Sequence, residues 1–305
     1  MFDIIVVGGG PAGLTAALYA RRTGRDVLVL EKEGFGGQIA FAPRVENYPG
    51  VGSVEGAELA ERMLTQALDA GAETDIGTVT AIRDRGDHRV VYTEEGDEYE
   101  TRAVILAAGA RHRMLGLPME EELLGSGLSY CAVCDGSFYA GGAVAVVGGG
   151  DSALQEALLL SDICREVVVI HRRDAFRGDA EKQKRLFARD NVRVLTPRVV
   201  TAFRETDGAL TGVNLRNVIT GEEEELKVDA VFVSVGREPQ LEAFRELLPL
   251  TEKGYAAVGE DGYTPHPWLF AAGDCRKKEV RQLTTAVGDG AAAALAACRY
   301  LETLE

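Results

Sequence analysis

Residues 5–33 read IVVGGGPAGLTAALYARRTGRDVLVLEKE, and residues 145–173 read AVVGGGDSALQEALLLSDICREVVVIHRR. The two stretches align without a gap. Each has an apolar strand, a glycine turn, an amphipathic segment and a second apolar strand. In the second copy Leu154, Ala157, Leu158 and Ser161 recur at the spacing of one helical face. Parallel strands cannot be joined by a tight turn; they need a crossover, and a helix packed on the sheet supplies it. Each stretch is therefore read as a βαβ unit, and the chain as an α/β protein containing two of them.

The remaining sequence fits around these units. Residues 78–106 alternate apolar and polar positions between the turns Arg85-Gly86-Asp87 and Glu95-Gly96-Asp97, and end in the apolar run Ala103 to Leu106. This predicts an antiparallel meander feeding a buried strand. Residues 191–235 repeat the design and end in Val231 to Val235. Turn-rich Gly254 to Thr264 and apolar Leu269 to Ala272 follow, and an alanine-rich helix is expected from Gly288 to about Leu301. That helix must pack on the first unit, because the second already has its own strands. The expected organisation is a discontinuous first domain, about 1–112 plus 246–305, with a second domain, 113–245, inserted in it.

Composition narrows the function. A chain of 305 residues with 46% hydrophobic and 27% charged residues reads as soluble and globular, with room for two cores. The net charge of −15 repels phosphate backbones, so nucleic acid is not an expected partner. Met1 to Asp3 leads into an apolar strand without a basic leader, and no apolar run approaches the roughly 20 residues that span a bilayer. The expectation is a cytoplasmic protein that does not associate with membranes.

Gly8, Gly10 and Gly13 form G-x-G-x-x-G directly after a strand. The first glycine permits the turn, the second lets backbone approach a pyrophosphate, and the third lets helix and strand pack closely. The helix N-terminus then offers free N–H groups to phosphate. The next strand ends in Glu31, whose carboxylate suits the ribose hydroxyls of an unphosphorylated adenosine. In the second copy Gly148, Gly150 and Ala153 take the glycine places and His171 the place of Glu31, with Arg172, Arg173 and Arg177 close behind. Arginines attract a 2′-phosphate that a carboxylate would repel. The bland alternative for them is a solvated charged face shared with Asp174 and Asp179. The first site is thus expected to take FAD or NAD, and the second NADPH. Two such sites in one chain suggest a resident flavin and an exchanging nicotinamide.

Cys131-Ala-Val-Cys134 is followed by Asp135. Cysteines at this spacing can close a reactive disulfide, and an adjacent carboxyl can exchange a proton. The competing readings are half of a zinc site or two buried thiols. Zinc needs two more ligands, and Cys164, Cys275 and Cys298 form no second C-x-x-C. Those three read as small buried hydrophobes.

Gly8-Gly-Gly-Pro11-Ala12-Gly13, Gly36-Gly37-Gln38-Ile39, Glu46-Asn47-Tyr-Pro-Gly50, Cys131 to Gly136, Gly148-Gly-Gly150-Asp151-Ser152-Ala153, His171-Arg-Arg173 with Arg177, Ala271-Ala-Gly273-Asp274 and Arg281-Gln282 occur in this order. In this respect the chain resembles the low-molecular-weight, bacterial-type thioredoxin reductases from about residue 2 to 301. The resemblance implies two Rossmann-like, three-layer ββα nucleotide-binding domains, the second inserted in the first. It also implies an NADPH-dependent thioredoxin-disulfide reductase with FAD as second cofactor. Glu31, Lys32, Gly36, Gly37, Gln38, Asn47, Gly109, Gly273, Asp274, Arg281 and Gln282 would join the first glycine turn around FAD. Asp151 and Ser152 would join the second turn around NADPH. Cys134 would face the flavin, Cys131 would attack the disulfide of thioredoxin or a similar small dithiol protein, and Asp135 would be the acid. The family is homodimeric and turns its NADPH domain between two orientations, which suggests hinges at the two linkers. Relatives fed by ferredoxin, or acting as dithiol oxidases, typically lack the second glycine motif and the arginines that this chain keeps. A redox-sensing protein that switches partners without turnover is the reading from another class. The run Arg276-Lys277-Lys278 near the expected flavin site is read as an exposed loop.

Overall fold

The computed structural model describes all residues from Met1 to Glu305. It contains two compact units, one formed by Met1–Arg111 with Glu238–Glu305 and the other by His112–Arg237. The first opens with β1 (Phe2–Val7), α1 (Pro11–Arg22), β2 (Val27–Glu31), α2 (Gly56–Asp69), β3 (Glu73–Ile76), β4 (Val79–Asp84), β5 (Arg89–Thr93) and β6 (Glu98–Leu106). β7 (Ala110–His112) carries the chain into the second unit. That unit holds β8 (Leu128–Ser129), α3 (Ala132–Asp135), β9 (Ala143–Val147), α4 (Asp151–Ser161), β10 (Glu166–Ile170) and α5 (Ala180–Phe187). It continues with β11 (Val192–Leu195), β12 (Arg198–Thr206), β13 (Ala209–Asn217), β14 (Glu223–Lys227) and β15 (Ala230–Val233). β16 (Arg237–Pro239) leads back, and β17 (Leu269–Ala271) and α6 (Leu283–Glu302) complete the first unit. β7 and β16, on which the chain crosses, pair as a two-stranded sheet.

In the first unit β1 lies between β2 and β6, parallel to both, with Ile4 opposite Val27 and Ala103. Side chains alternate across a strand, so β1 and β2 supply two cores at once. Ile4, Val6, Val27 and Val29 meet alanines of α1 and α6. Ile5, Val7, Leu28 and Leu30 meet Val91, Phe244 and Trp268. This is a three-layer arrangement, with helices on one face and β-structure on the other. β6 changes partner along its length: its first half pairs antiparallel with β5, and Val104 to Leu106 pair parallel with β17.

The second unit repeats the plan. β11, β10, β9, β15 and β8 form one sheet, whose pairings are all parallel. Val144, Val146, Val167 and Val169 pack under α4 and α5 through Leu154, Leu158 and Leu186. Ala145, Val147, Val168 and Ile170 pack on the antiparallel sheet β12–β13–β14 through Phe203, Val213 and Leu226. No helix is long and apolar enough to cross a membrane.

Two boundaries differ from the sequence reading. The second crossing lies between Arg237 and Glu238 rather than near 246, because Leu241, Phe244 and Leu248 are buried in the first unit beside Trp268. The last helix starts at Leu283, not Gly288: Gln282 and Thr285 form a reciprocal capping box that satisfies its first turn. The glycine at 290 inside this helix is required by packing, since a Cβ there would lie 2.1 Å from the Ala12 carbonyl oxygen of α1.

Candidate functional site

β1 is buried up to Val7, and the chain must turn at once into α1. Gly8 makes the turn at φ +108°, where a Cβ would lie 2.4 Å from the Ala107 carbonyl oxygen. Gly13 packs so closely that a Cβ would come within 1.8 Å of the Gly8 carbonyl oxygen. Gly10 caps α1 without a side chain, Pro11 occupies its first turn, and no acid stands there. The first-turn amides beyond Pro11, those of Ala12 and Gly13, thus have no internal cap, which suits an anion. Glu31 closes the cradle: Oε2 accepts from the Gly9 amide at 2.6 Å and Oε1 from the Lys32 amide at 2.9 Å. A cavity of about 550 Å³ opens beside it, lined by Gly8, Glu31, Lys32, Thr78, Ala108 and Gln240. The size and the fixed carboxylate fit the adenosine end of a dinucleotide.

Other residues singled out in the sequence converge on this cradle. The Gly36 amide donates to the Gly9 carbonyl at 2.8 Å, and Gly37 packs on Gly10, with Gln38 in the short 3-10 turn that follows. Gly273 sits at φ +77° against Ala12, where a Cβ would be 2.8 Å from the alanine methyl, and Asp274 follows it. Arg281 donates to the carbonyls of Asp274, Arg276 and Lys278 and stacks 4.1 Å from the Tyr255 ring centroid. Asn47 Nδ2 donates to Gln282 Oε1 at 3.2 Å. The Gly109 carbonyl, just before β7, accepts from the Gln240 amide at 3.1 Å.

The basic run is not the exposed loop expected. Arg276 and Lys278 both close on Asp289 of α6, at 2.6 and 2.8 Å, and only Lys277 is exposed. Burial pushes Asp289 up, but hydrogen bonds from Arg276 and Lys278 outweigh it and hold the carboxyl below its ordinary range. The same carboxylate accepts from the Gly273 amide at 3.0 Å, which fixes the turn bearing Asp274. Asp289 carries no local motif and was not visible in the sequence.

In the second unit Gly148 turns after β9, with a would-be Cβ 2.3 Å from the Ser234 carbonyl oxygen. Ala153, buried, replaces the third glycine, and Asp151 and Ser152 start α4 after the Gly150 cap. Asp151 accepts from the Asp179 amide at 2.8 Å. His171 is buried against Gly149, whose Cβ would lie 2.4 Å from the imidazole, and stacks on Phe176 at 5.1 Å. Burial and the flanking arginines press His171 down, toward the neutral ring. The Arg177 amide donates to the Gly149 carbonyl at 2.9 Å, so the loop with Arg172, Arg173 and Arg177 folds back to the turn with all three side chains exposed. The start of α4 has no side-chain cap but carries Asp151 in its first turn, and the three exposed arginines stand on the loop that folds back to it.

Glu156 of α4 was also missed. Its Oε2 is buried without a hydrogen bond, and burial pushes the carboxyl up to about 7, partly offset by Arg237 and Ser234.

Cys131 and Cys134 are joined as a disulfide across α3, with Cα atoms 5.3 Å apart. Cys131 caps that turn, its sulfur accepting from the Cys134 amide at 3.2 Å. Burial raises Asp135 above the usual carboxylate range, and the Ser129 hydroxyl, 2.5 Å from Oδ2, pulls it partly back. The preceding segment is anchored firmly. Buried Glu120 accepts from the amides of Leu115, Gly116 and Leu117 and from the Tyr130 hydroxyl, and Tyr130 stacks on His112 at 4.9 Å. Val133 and Phe138 are exposed beside the pair. Cys164, Cys275 and Cys298 are buried free thiols, and nowhere does the fold gather three metal-ligating side chains.

A disulfide between two nucleotide-type cradles in sequence is the signature of a class of redox enzymes. The chain belongs to the pyridine nucleotide-disulphide oxidoreductase family, whose pattern matches residues 2–290. It is 41% identical over 305 residues to a protein of Bacillus subtilis (strain 168) named thioredoxin reductase, covering 100% of this chain and 96% of that one. It is 44% identical over 301 residues to the bifunctional thioredoxin reductase/thioredoxin of Mycobacterium leprae (strain TN), covering 98% of this chain and 66% of that protein. Among solved structures, thioredoxin reductase from Streptococcus pyogenes MGAS5005 matches with a TM-score of 0.94 at 40% identity over 99% of each chain.

Proposed function

We propose that this protein is an NADPH-dependent flavoprotein that reduces the disulfide of thioredoxin or a similar small dithiol protein. The observation that carries the reading is the contrast between the cradles: Glu31 closes the first, whereas His171, Arg172, Arg173 and Arg177 border the second. The first suits FAD and the second NADPH. Bound in these cradles, the two cofactors supply a two-electron relay from nicotinamide to the cysteine pair.

The chain's own residues then have defined tasks. Glu31 takes the ribose hydroxyls, and Asp274, Arg281, Gln282 and Asn47 surround the flavin end. Arg172, Arg173 and Arg177 take the 2′-phosphate. In the reduced pair, the Cys131 thiolate attacks one sulfur of the partner disulfide. That S–S bond breaks, a mixed disulfide forms, and the released partner thiolate takes a proton. Cys134 then attacks the Cys131 sulfur, which restores the disulfide seen here and frees the second partner thiol. Asp135 exchanges protons with the departing thiolates. The bifunctional relative from Mycobacterium leprae, whose name joins reductase and thioredoxin, supports this acceptor class. The two crossings, near residues 111–112 and 237–238, are the proposed hinges for movement of the NADPH unit. A cytoplasmic homodimer completes the reading and rests on the family resemblance.

The test is NADPH oxidation by the purified protein with oxidised thioredoxin, counting thiols released. Turnover that disappears in Cys131→Ser is the expected result. NADPH oxidation without thiol release would refute the disulfide route.

A further inference from the structure

The buried hydroxyl of Ser129 occupies an unusual junction. Ser129 ends β8, where it pairs with Phe232 of β15, and is only 3% exposed. Its Oγ accepts from the Cys131 amide at 3.0 Å. The single hydroxyl proton therefore points elsewhere. Asp135 Oδ2 lies 2.5 Å away, while the alternative acceptor, the Cys131 carbonyl oxygen, lies at 3.4 Å. A carboxylate is the stronger acceptor, and the shorter distance agrees with that choice. One oxygen atom thus ties the backbone of the attacking cysteine to the acid that follows its partner cysteine.

We infer that Ser129 is the positioning residue of the dithiol centre, holding Asp135 in register with Cys131 and setting when its carboxyl carries a proton. The inference rests on the reading of Cys131 and Cys134 as the working pair. When Asp135 is ionised, the hydroxyl donates to it. When Asp135 is protonated, that donation is no longer favoured, and the hydroxyl can turn to the Cys131 carbonyl. Protonation of the acid is thereby coupled to the backbone of Cys131.

The turn that follows Asp135 packs on apolar side chains, and burial is the main influence on the carboxyl. α4 and the residues after it present Leu159, Leu160 and Ile163 to the turn at Gly136, with no charged group among them. β15 presents Phe232, which packs edge-on to Tyr139. The Tyr139 phenol is raised by burial and then by the Asp135 charge, and Cys134, the neighbour of Asp135 in the chain, becomes titratable once the disulfide is opened. Ser129 is the one group that favours the ionised carboxyl.

The test uses the full chain with its flavin, under anaerobic conditions, and dithiothreitol as the probe. Opening the disulfide takes two electrons and two protons from this dithiol: its thiolate attacks one cysteine sulfur, the other leaves as a thiolate and is protonated, and a second attack completes the exchange. Alkylation of the freed cysteines gives the rate across the range in which carboxylates and thiols titrate. Losing the hydroxyl removes support for the ionised carboxyl, so in Ser129→Ala the acid-linked inflection moves up by about one pH unit. Ser129→Thr keeps the wild-type profile, and Asp135→Asn lacks the inflection. Ser129→Gly, which also lacks the donor, replaces the alanine variant if that one fails to fold. An inflection that stays in place, or a uniform fall in rate at every pH, overturns the inference. The assay needs neither thioredoxin nor NADPH, so failure of thioredoxin turnover would refute the earlier reading separately.

Discussion

Gly290 of α6 lies against Ala12 of α1 so closely that a methyl group on the glycine would sit 2.1 Å from the alanine carbonyl oxygen. The contact joins the helix that starts the first cradle to the helix that anchors, through Asp289, the turn bearing Asp274. Gly290→Ala must push the helices apart. Overpacking of this kind costs about 1–3 kcal/mol. The expected outcome is a lower thermal midpoint together with easier loss of FAD on dilution, both read from flavin fluorescence. An unchanged midpoint would mean that the helices have slack.

Glu31→Gln should keep the fold, because the amide oxygen can still accept from the backbone of the turn. It loses the charge that favours ribose hydroxyls. A hydrogen bond to a charged group is worth about 1.5–3 kcal/mol, which corresponds to roughly ten- to a hundredfold weaker FAD binding. Titration of the stripped protein with FAD measures it. Equal affinity in both proteins would remove Glu31 from the site.

Replacing Arg172 and Arg173 with alanine should weaken NADPH far more than NADH, by about ten- to a hundredfold in KM for the phosphorylated form. Both side chains are exposed, so stability should hardly change. A comparable loss for both nucleotides would count against a 2′-phosphate role.

Glu156 makes stability depend on pH. Its folded carboxyl titrates at about 7, above the ordinary 4.5, so the folded state binds the proton more tightly than the unfolded chain. The associated stability is fully present below about pH 4.5 and is lost as pH rises toward 7, for a total of about 3 kcal/mol. Glu156→Gln, neutral throughout, should flatten that slope. Denaturant midpoints of the two proteins at pH 5 and pH 8 make the comparison, and parallel curves would disprove it.

The parts of the fold that were legible in the sequence are those set by neighbours along the chain. The turns at Gly8 and Gly148, the strands on either side and the meander between residues 78 and 106 follow from local spacing and local sterics. What escaped depends on distant partners. Asp289 meets Gly273 and Arg276 only because α6 packs on α1. Glu156 lies beside Ser234 because β9 and β15 are adjacent in the sheet. Leu241 and Phe244 look like any linker hydrophobes until Trp268 is folded against them. Ser129 is six residues from Asp135, yet its role needs the direction of one short turn.

The partner change along β6 bears on how the protein is made. Its segment Val104–Leu106 needs β17, whose residues leave the ribosome only after the whole of the intervening unit. Synthesis is vectorial, and domains fold as units while the chain emerges. A nascent chain from which residues up to about 260 have emerged would therefore carry a complete second unit and a first unit in which Val104–Leu106 of β6 lack their β17 partner. An edge left unpaired in this way invites pairing with other chains. The interval between the emergence of residue 106 and residue 271 is thus the period in which this polypeptide most needs protection.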